Sequence, residues 1–317
     1  MSKQFKFIDL FAGIGGLRVP FEELGECVFT SEINAAAREV YSDNFQEDES
    51  HIDRDISKVN EVDLGDFPEH DLILAGFPCQ PFSHAGLRKG FDDIRGTLFF
   101  SIAKIADRKK PKVLLLENVR GLKGHDGGYT FMRIQETLED LGYVVHSKVL
   151  NARDFGLAQN RNRLFIVAIR SDLDGANSYE FPDATHDRNS LRVGDFLDAN
   201  VDEKYTISDR LWEGHQRRKG QNKANGKGFG YQLFNADSPY IATISARYYK
   251  DGSEALIEQP GRNPRKLTPN EARRFQGFPE TFRLPSSDIQ AYRQFGNAVP
   301  VAVIKALSNS LYKYLSN

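Results

Sequence analysis

Cys79 stands between two prolines in "GFPCQPFS", residues 76–83, directly after the apolar run "DLILAGF". Pro78 and Pro81 restrict the backbone on both sides of the thiol. The carboxyl edge of an open α/β sheet is where ligands sit, and a stiff, reachable thiol there suits a nucleophile. Cysteine is otherwise among the most buried residue types. Cys27, in "ECVF", fits that packing role; Cys79, in a turn, does not. Glu117 closes the apolar run "VLLLENV". A carboxyl partly desolvated at a strand end gains proton affinity and suits a general acid, with a salt-bridged sheet-end carboxylate as the alternative. Arg161 and Arg163 alternate with asparagine in "QNRNRLF", so both are expected on one face of the chain. Their planar forks grip a carbonyl or a phosphate; the plainer alternative is a solvated basic edge.

A second constellation points to a bound adenosine. "FIDLFAGIGGLR" reads as a strand, a glycine turn and a helix start, with Gly13, Gly15 and Gly16 allowing close backbone approach. It is not the dinucleotide fingerprint, because Arg18 holds the place of that motif's third glycine. Glu32, at the end of the next strand, is placed to hold ribose hydroxyls. Asp55, one unit further on, is placed to accept from an adenine amino group. A tight strand-to-helix turn is the plainer reading of the glycines alone.

These residues need a scaffold that brings successive strand ends to one edge. "FKFIDLF", "CVFTSEI", "DLILAGF" and "KVLLLENV" read as buried strands. A short helix to about Leu24 follows the glycines, and "NAAAREVYSDNF", "GTLFFSIAKIADR" and "YTFMRIQETLEDLG" read as further helices, with Asn34 as an N-cap. This alternation predicts an α/β fold, a doubly wound and mostly parallel sheet. "YVVHSKVL" and "RLFIVAIR" lack a helix between them and predict an antiparallel hairpin at one sheet edge. After about residue 186 come "YQLF", "YIATISARYY" and "ALIEQ", short β-like runs. "TPNEARRFQGF" is a helix with Thr268 as N-cap, Pro269 at the first position, Glu271 closing a capping box and Gly277 as the stop. The expected domains are 1–185, 186–288 (smaller and β-rich) and a segment 289–317 that packs back on the first.

Composition narrows the class. The 317 residues are 40% hydrophobic and 27% charged, with a formal net charge of −2, so total charge favours no partner. Locally, 204–227 holds seven Lys/Arg against two acids, a balance of +5. Two cysteines make no disulfide framework, and the seven histidines show no zinc-type spacing, so no metal is expected. The chain enters a strand almost at once, without a signal peptide, and no apolar run approaches the roughly 18 residues of a membrane span. The expected compartment is the reduced cytosol.

Taken together, "FIDLFAGIGG", "GFPCQPFS", "RGTLFF", "ENV", "QNRNR", "RKLTPNEARRFQGFP" and "QFGNAVP" resemble the ordered motifs of the C5-cytosine DNA methyltransferase family, of the bacterial restriction-modification type. The likeness runs from residue 7 to residue 303. It implies an S-adenosylmethionine-dependent enzyme with a catalytic domain, a target-recognition domain and a returning C-terminal segment. It implies that Cys79 attacks carbon 6 of a flipped-out cytosine, Glu117 protonates its N3, Arg163 contacts its O2, Arg161 supports the site and Asn118 holds its geometry. The cofactor residues it implies are Phe11, Gly13, Ile14, Gly16, Glu32, Ile33, Asp55, Ile56, Pro78, Leu98, Asn297 and Val299. Ile33 stands where many relatives carry an aromatic.

On the DNA side the resemblance implies Ser83, Arg88, Lys89 and Arg95 in a loop closing over the base, and Thr243 near the flipped nucleotide's backbone. The basic stretch 204–227 is expected to add phosphate affinity, and Arg247, Tyr248, Tyr249 and Lys250 to read bases. The expected partner is double-stranded DNA, met by a monomer, with a separate cognate endonuclease. Three rivals remain. They are an RNA (tRNA) cytosine methyltransferase, a catalytically silent DNA-binding regulator, and a nicotinamide oxidoreductase, which Arg18 disfavours.

Overall fold

Continuous apolar runs, rather than alternating ones, are what strands covered on both faces require. In the computed structural model β1 (Lys6–Leu10), β3 (Leu72–Gly76) and β4 (Val113–Val119) are such runs, with Ile8, Leu10, Ile73, Ala75, Leu114 and Leu116 buried in one core. The structure describes residues 4–49, 52, 55–58, 67–78, 98–226 and 230–316. Cys79, Ser83, Arg88, Lys89 and Arg95 lie outside the described residues.

β2 (Glu26–Ser31), β5 (Tyr143–Asn151) and β7 (Asn162–Arg170) complete a six-stranded sheet of order β2-β1-β3-β4-β7-β5. β1 runs parallel to β2 and β3, and β3 to β4; β7 is antiparallel to β4. The fold is the expected doubly wound α/β sheet with an antiparallel element toward one edge. Its register matters for chemistry. Leu10 pairs with Ser31 and Ala75, and Gly76 with Glu117. The residues just beyond these strands therefore share one edge, and the reversed β7 brings Arg163 to it from the other direction.

Among the described residues the helices of the first half are α1 (Ala35–Phe45), α2 (Leu98–Lys109) and α3 (Tyr129–Asp140). Asn34 caps α1, its side chain accepting from the Ala37 N–H at 3.0 Å. The helix expected to reach Leu24 is a single 3-10 turn, Val19–Phe21. Pro20 offers no N–H to continue it.

The chain divides into two compact units. The first holds residues 1–150, 162–183 and 303–317; the second holds 151–161 and 184–302. In the second unit β8 (Leu233–Phe234), β10 (Leu256–Gln259) and β11 (Arg262–Arg265) form a three-stranded sheet. β6 (Gln159–Asn160) pairs in parallel with β9 (Ile241–Ala242). "YIATISARYY" is thus a strand over only two residues before the chain turns at 246–250. The basic stretch, for which the sequence pattern predicts no element, is mostly α4 (Asp209–Ala224), capped by the Ser208 hydroxyl. Two glycines and few apolar residues hide its periodicity. α5 (Pro269–Phe275) starts with the expected Thr268–Glu271 capping box, and α6 (Asp288–Asn297) follows. α7 (Val301–Leu315) ends the chain.

Candidate active site

The glycine turn is held by Glu32. One carboxylate oxygen accepts the Gly13 N–H and the other the Asn34 N–H, each at 2.7 Å. Phe11 and Gly13 adopt left-handed backbone, φ +54° and +56°, a cost for a non-glycine residue that marks a constrained site. A methyl at Gly15 would overlap the Phe45 ring, so α1 closes down on the turn only because that position is glycine. Each Glu32 oxygen has a second lone pair, enough to accept ribose hydroxyls as well. Beside it Ile33 is 70% exposed, an apolar surface with nothing packed on it to match its size. Asp55 stays a charged acceptor, its carboxyl held below the usual range first by the Ser57 hydroxyl. Ile14 and Ile56 are buried, so their side chains serve the core and leave only backbone for a ligand. Pro78 is exposed and Leu98 half-buried at the start of α2. The donors and surfaces present in the first unit therefore fit an adenosine-type cofactor. Asn297, exposed, and Val299, buried, belong to the second unit.

Behind the turn lies a polar cluster that the sequence reading did not foresee. Asp9 is fully buried on β1 and accepts from the Tyr41 hydroxyl at 3.1 Å. Burial pushes its carboxyl up to about 8. Arg18 donates to Tyr41, Glu22 and Glu47 and lies over the Phe45 ring. Arg18, at the third-glycine position, is thus a structural clamp. Cys27 adjoins Thr30 in the same cluster, and burial pushes its thiol up to about 11, so it stays protonated at neutral pH.

At the far end of β4, Glu117 and Arg163 form an ion pair, Nε to Oε1 at 3.0 Å. The register explains it. Glu117 opposes Phe165, and Arg163, two residues earlier on β7, points to the same face as a diagonal neighbour. Glu117 is 8% exposed. The ion pair is the salt-bridged sheet-end carboxylate that stands as the alternative for this residue. Asn118 donates from Nδ2 to the Phe77 carbonyl at 2.8 Å and accepts the Val119 N–H. It ties the end of β4 to the segment that runs through Pro78 into Cys79.

Arg161 and Arg163 do not share a face. Arg161 falls between β6 and β7, fully buried in the second unit. It donates to the carbonyls of Ile244 (2.9 Å), Gly296 (2.9 Å) and Ala298 (2.6 Å). Gln159 joins it, accepting the Ile244 N–H and donating to Phe275. A side chain at Gly296 would overlap the Ser245–Ala246 backbone, so glycine is required there. Local alternation misled because β6 ends at Asn160 and β7 begins at Asn162.

Thr243 donates its hydroxyl to the Asn160 carbonyl at 2.7 Å. Arg247 and Lys250 are exposed and Tyr249 half-buried. Tyr248 is different: it is fully buried, its hydroxyl donating to Ala255 and accepting from the Leu267 N–H. It braces the turn, and its side chain does not reach out to a base. Among the described residues no group of three His, Cys, Asp or Glu side chains is placed to hold a metal, and no helix is long and apolar enough to cross a membrane.

An α/β methyltransferase sheet with an adenosine-fitting glycine turn and a paired acid and guanidinium at one edge defines the class. The model of the C-5 cytosine-specific DNA methylases matches residues 5–313, and the chain belongs to that family of DNA cytosine-5 methyltransferases. It is 55% identical to the type II methyltransferase M.NlaX of Neisseria lactamica, over 98% of this chain and 97% of that one. It is 54% identical to M1.ScrFI of Lactococcus lactis subsp. cremoris, over 99% and 79%. Among solved structures the Entamoeba histolytica methyltransferase EhMeth covers all of both chains with a TM-score of 0.77 at 23% identity, a likeness of fold.

Proposed function

We propose that the chain methylates carbon 5 of a cytosine swung out of duplex DNA, through a covalent bond between Cys79 and carbon 6, with S-adenosylmethionine as methyl donor. The observation that carries this is the Glu117–Arg163 pair at the carboxyl edge, tied through Asn118 to the segment entering Cys79. The target atom is inside the duplex stack, so the base must leave it. The Cys79 thiolate adds to carbon 6 and forms the C–S bond. Glu117 gives a proton to N3 as charge arrives there. Arg163 donates to the base O2 and keeps Glu117 oriented. Bound S-adenosylmethionine supplies the methyl group as a positively charged sulfonium. Carbon 5, now electron-rich, takes the methyl as neutral S-adenosylhomocysteine is left behind; loss of the carbon 5 proton to water, return of the N3 proton to Glu117 and departure of the Cys79 thiolate restore the ring. Glu32 and the backbone at Gly13 hold the ribose, Ile33 packs on the adenine and Asp55 accepts from its amino group. Phe11, Ile14, Gly16, Pro78, Leu98, Asn297 and Val299 complete the cofactor contacts.

Ser83, Arg88, Lys89 and Arg95 close over the base, Arg161 supports the site, and the second unit selects the sequence. Relatives named as type II methyltransferases support a place in restriction-modification, protecting DNA from a separate endonuclease. The enzyme acts as a monomer in the cytosol.

Bisulfite sequencing of duplex DNA treated with the pure protein tests this. The expected result is 5-methylcytosine at one position of one short sequence, abolished by Cys79→Ser, a loss of roughly 10³-fold or more. Methyl transfer to transfer RNA alone, or full activity of Cys79→Ser, overturns it.

A further inference from the structure

Tyr249, in the turn 246–250, meets Arg293 from the exposed side of α6. The guanidinium carbon lies 4.6 Å from the ring centroid. Arg247 and Lys250 flank the ring on the same turn, and both are exposed. Arg293 foremost, then Lys250 and Arg247, pull the Tyr249 phenol below its ordinary value, so all three cations act at one spot. Nearby cations are spent internally: Arg218 on Asp251 at 3.1 Å, Lys204 on Asp288 at 3.4 Å and Arg265 on Glu271 at 2.8 Å. Among the described residues no carboxylate forms an ion pair with Arg247, Lys250 or Arg293.

The platform is also rigid. Tyr248, next to Tyr249, packs edge-on against Tyr292, next to Arg293, with ring centroids 5.1 Å apart. The Gly296 contact and the Arg161 hydrogen bonds fix α6 to residues 244–246. Arg293 also hydrogen-bonds the Tyr249 hydroxyl, which holds the guanidinium in place while its remaining N–H donors, out of five, are left for a ligand, so it loses little freedom on binding. That fork matches the oxygens of a phosphate. The ring face beneath Arg293 is covered and is not offered to a base.

We propose that Arg293, stacked on Tyr249 and flanked by Arg247 and Lys250, is a phosphate site that grips the DNA backbone without reading sequence. It rests on the duplex-DNA reading above and adds a residue, Arg293, outside the motifs that reading used.

The test is binding of Arg293→Gln and Arg293→Lys to two duplexes, one methylated by the wild type and one unrelated, across a salt series. Arg293→Gln weakens both duplexes by the same factor, and its log-affinity against log-salt slope falls by about 1. Arg293→Lys keeps the wild-type slope while losing part of the affinity, because the charge remains and the fork does not. An unchanged slope in Arg293→Gln, or a loss confined to the methylated duplex, overturns the proposal. An unchanged unfolding midpoint for both variants shows that the site, and not the fold, was altered. If the wild type methylates no duplex, the functional reading fails; if it methylates one and the slope in Arg293→Gln is unchanged, only this inference fails.

Discussion

Arg161 and Arg163, one residue apart, do opposite work. Arg163 sits in the first unit and pairs with a carboxylate, Glu117, at the carboxyl edge of the sheet. Arg161 sits in the second unit and donates to three backbone carbonyls. The first arrangement pairs two charged groups at the edge where the strands end. The second is a clasp joining β9's extension to the end of α6. A guanidinium suits both tasks because its fork is planar and permanently charged. What separates the two is whether the partners can change protonation or move.

Replacing the acid should have the largest effect. Glu117→Gln keeps the shape but cannot donate a proton, and kcat should fall about 10²–10⁴-fold while duplex binding persists. Single-turnover methyl transfer would show it; near-normal rates would mean that Glu117 is only a structural partner of Arg163.

Conservative lysine swaps then divide the two arginines. Arg163→Lys keeps a charge for Glu117, so the buried pair is not left with an uncompensated carboxylate and stability should change less than in the Arg161 swap. Its misplaced donor should still cost roughly 10²-fold in kcat. Arg161→Lys cannot serve three carbonyls and should cost about 1–3 kcal/mol of unfolding free energy. Denaturant titrations beside rate measurements would break the comparison if the pattern were reversed.

Gly296→Ala sharpens the clasp from its other side. The added methyl must push the Ser245–Ala246 backbone away, costing about 1–3 kcal/mol. Urea unfolding reads this directly, and a neutral result would mean that the clasp yields easily.

The last effect is one of pH and concerns the buried acid of the first unit. Asp9, held by the Tyr41 hydroxyl, has a folded value of about 8 against an ordinary 3.8. Between those values the folded state keeps a proton that the unfolded chain has lost, so stability falls as pH rises and levels off above about 8. Asp9→Asn removes that slope, on the order of 1 kcal/mol per pH unit. Unfolding midpoints of both proteins at several pH values should converge at low pH and separate as pH rises, the variant becoming the more stable.

Much of this was legible in the chain itself. Buried strands, the Asn34 and Thr268 caps and the stop at Gly277 depend on local periodicity and hydrogen bonding, so they followed from sequence. The prolines around Cys79 and the apolar run before Glu117 placed both residues at strand ends for the same reason. The α4 helix escaped because its periodicity rests on a thin stripe, with His215 its one buried residue. Tyr248 passed for a base reader because an exposed-looking turn says nothing of what lies beneath it.

By itself, then, the sequence determined the parallel sheet, the strand-end placement of the reactive residues and the family, since these rest on local pattern and residue type. Only the tertiary structure decided that Glu117 is paired, that Asp9 and Arg18 form a buried cluster, and that Arg161 and Arg163 part company. Those outcomes depend on register between distant strands and on which groups lose their water together, and neither quantity is local in the chain.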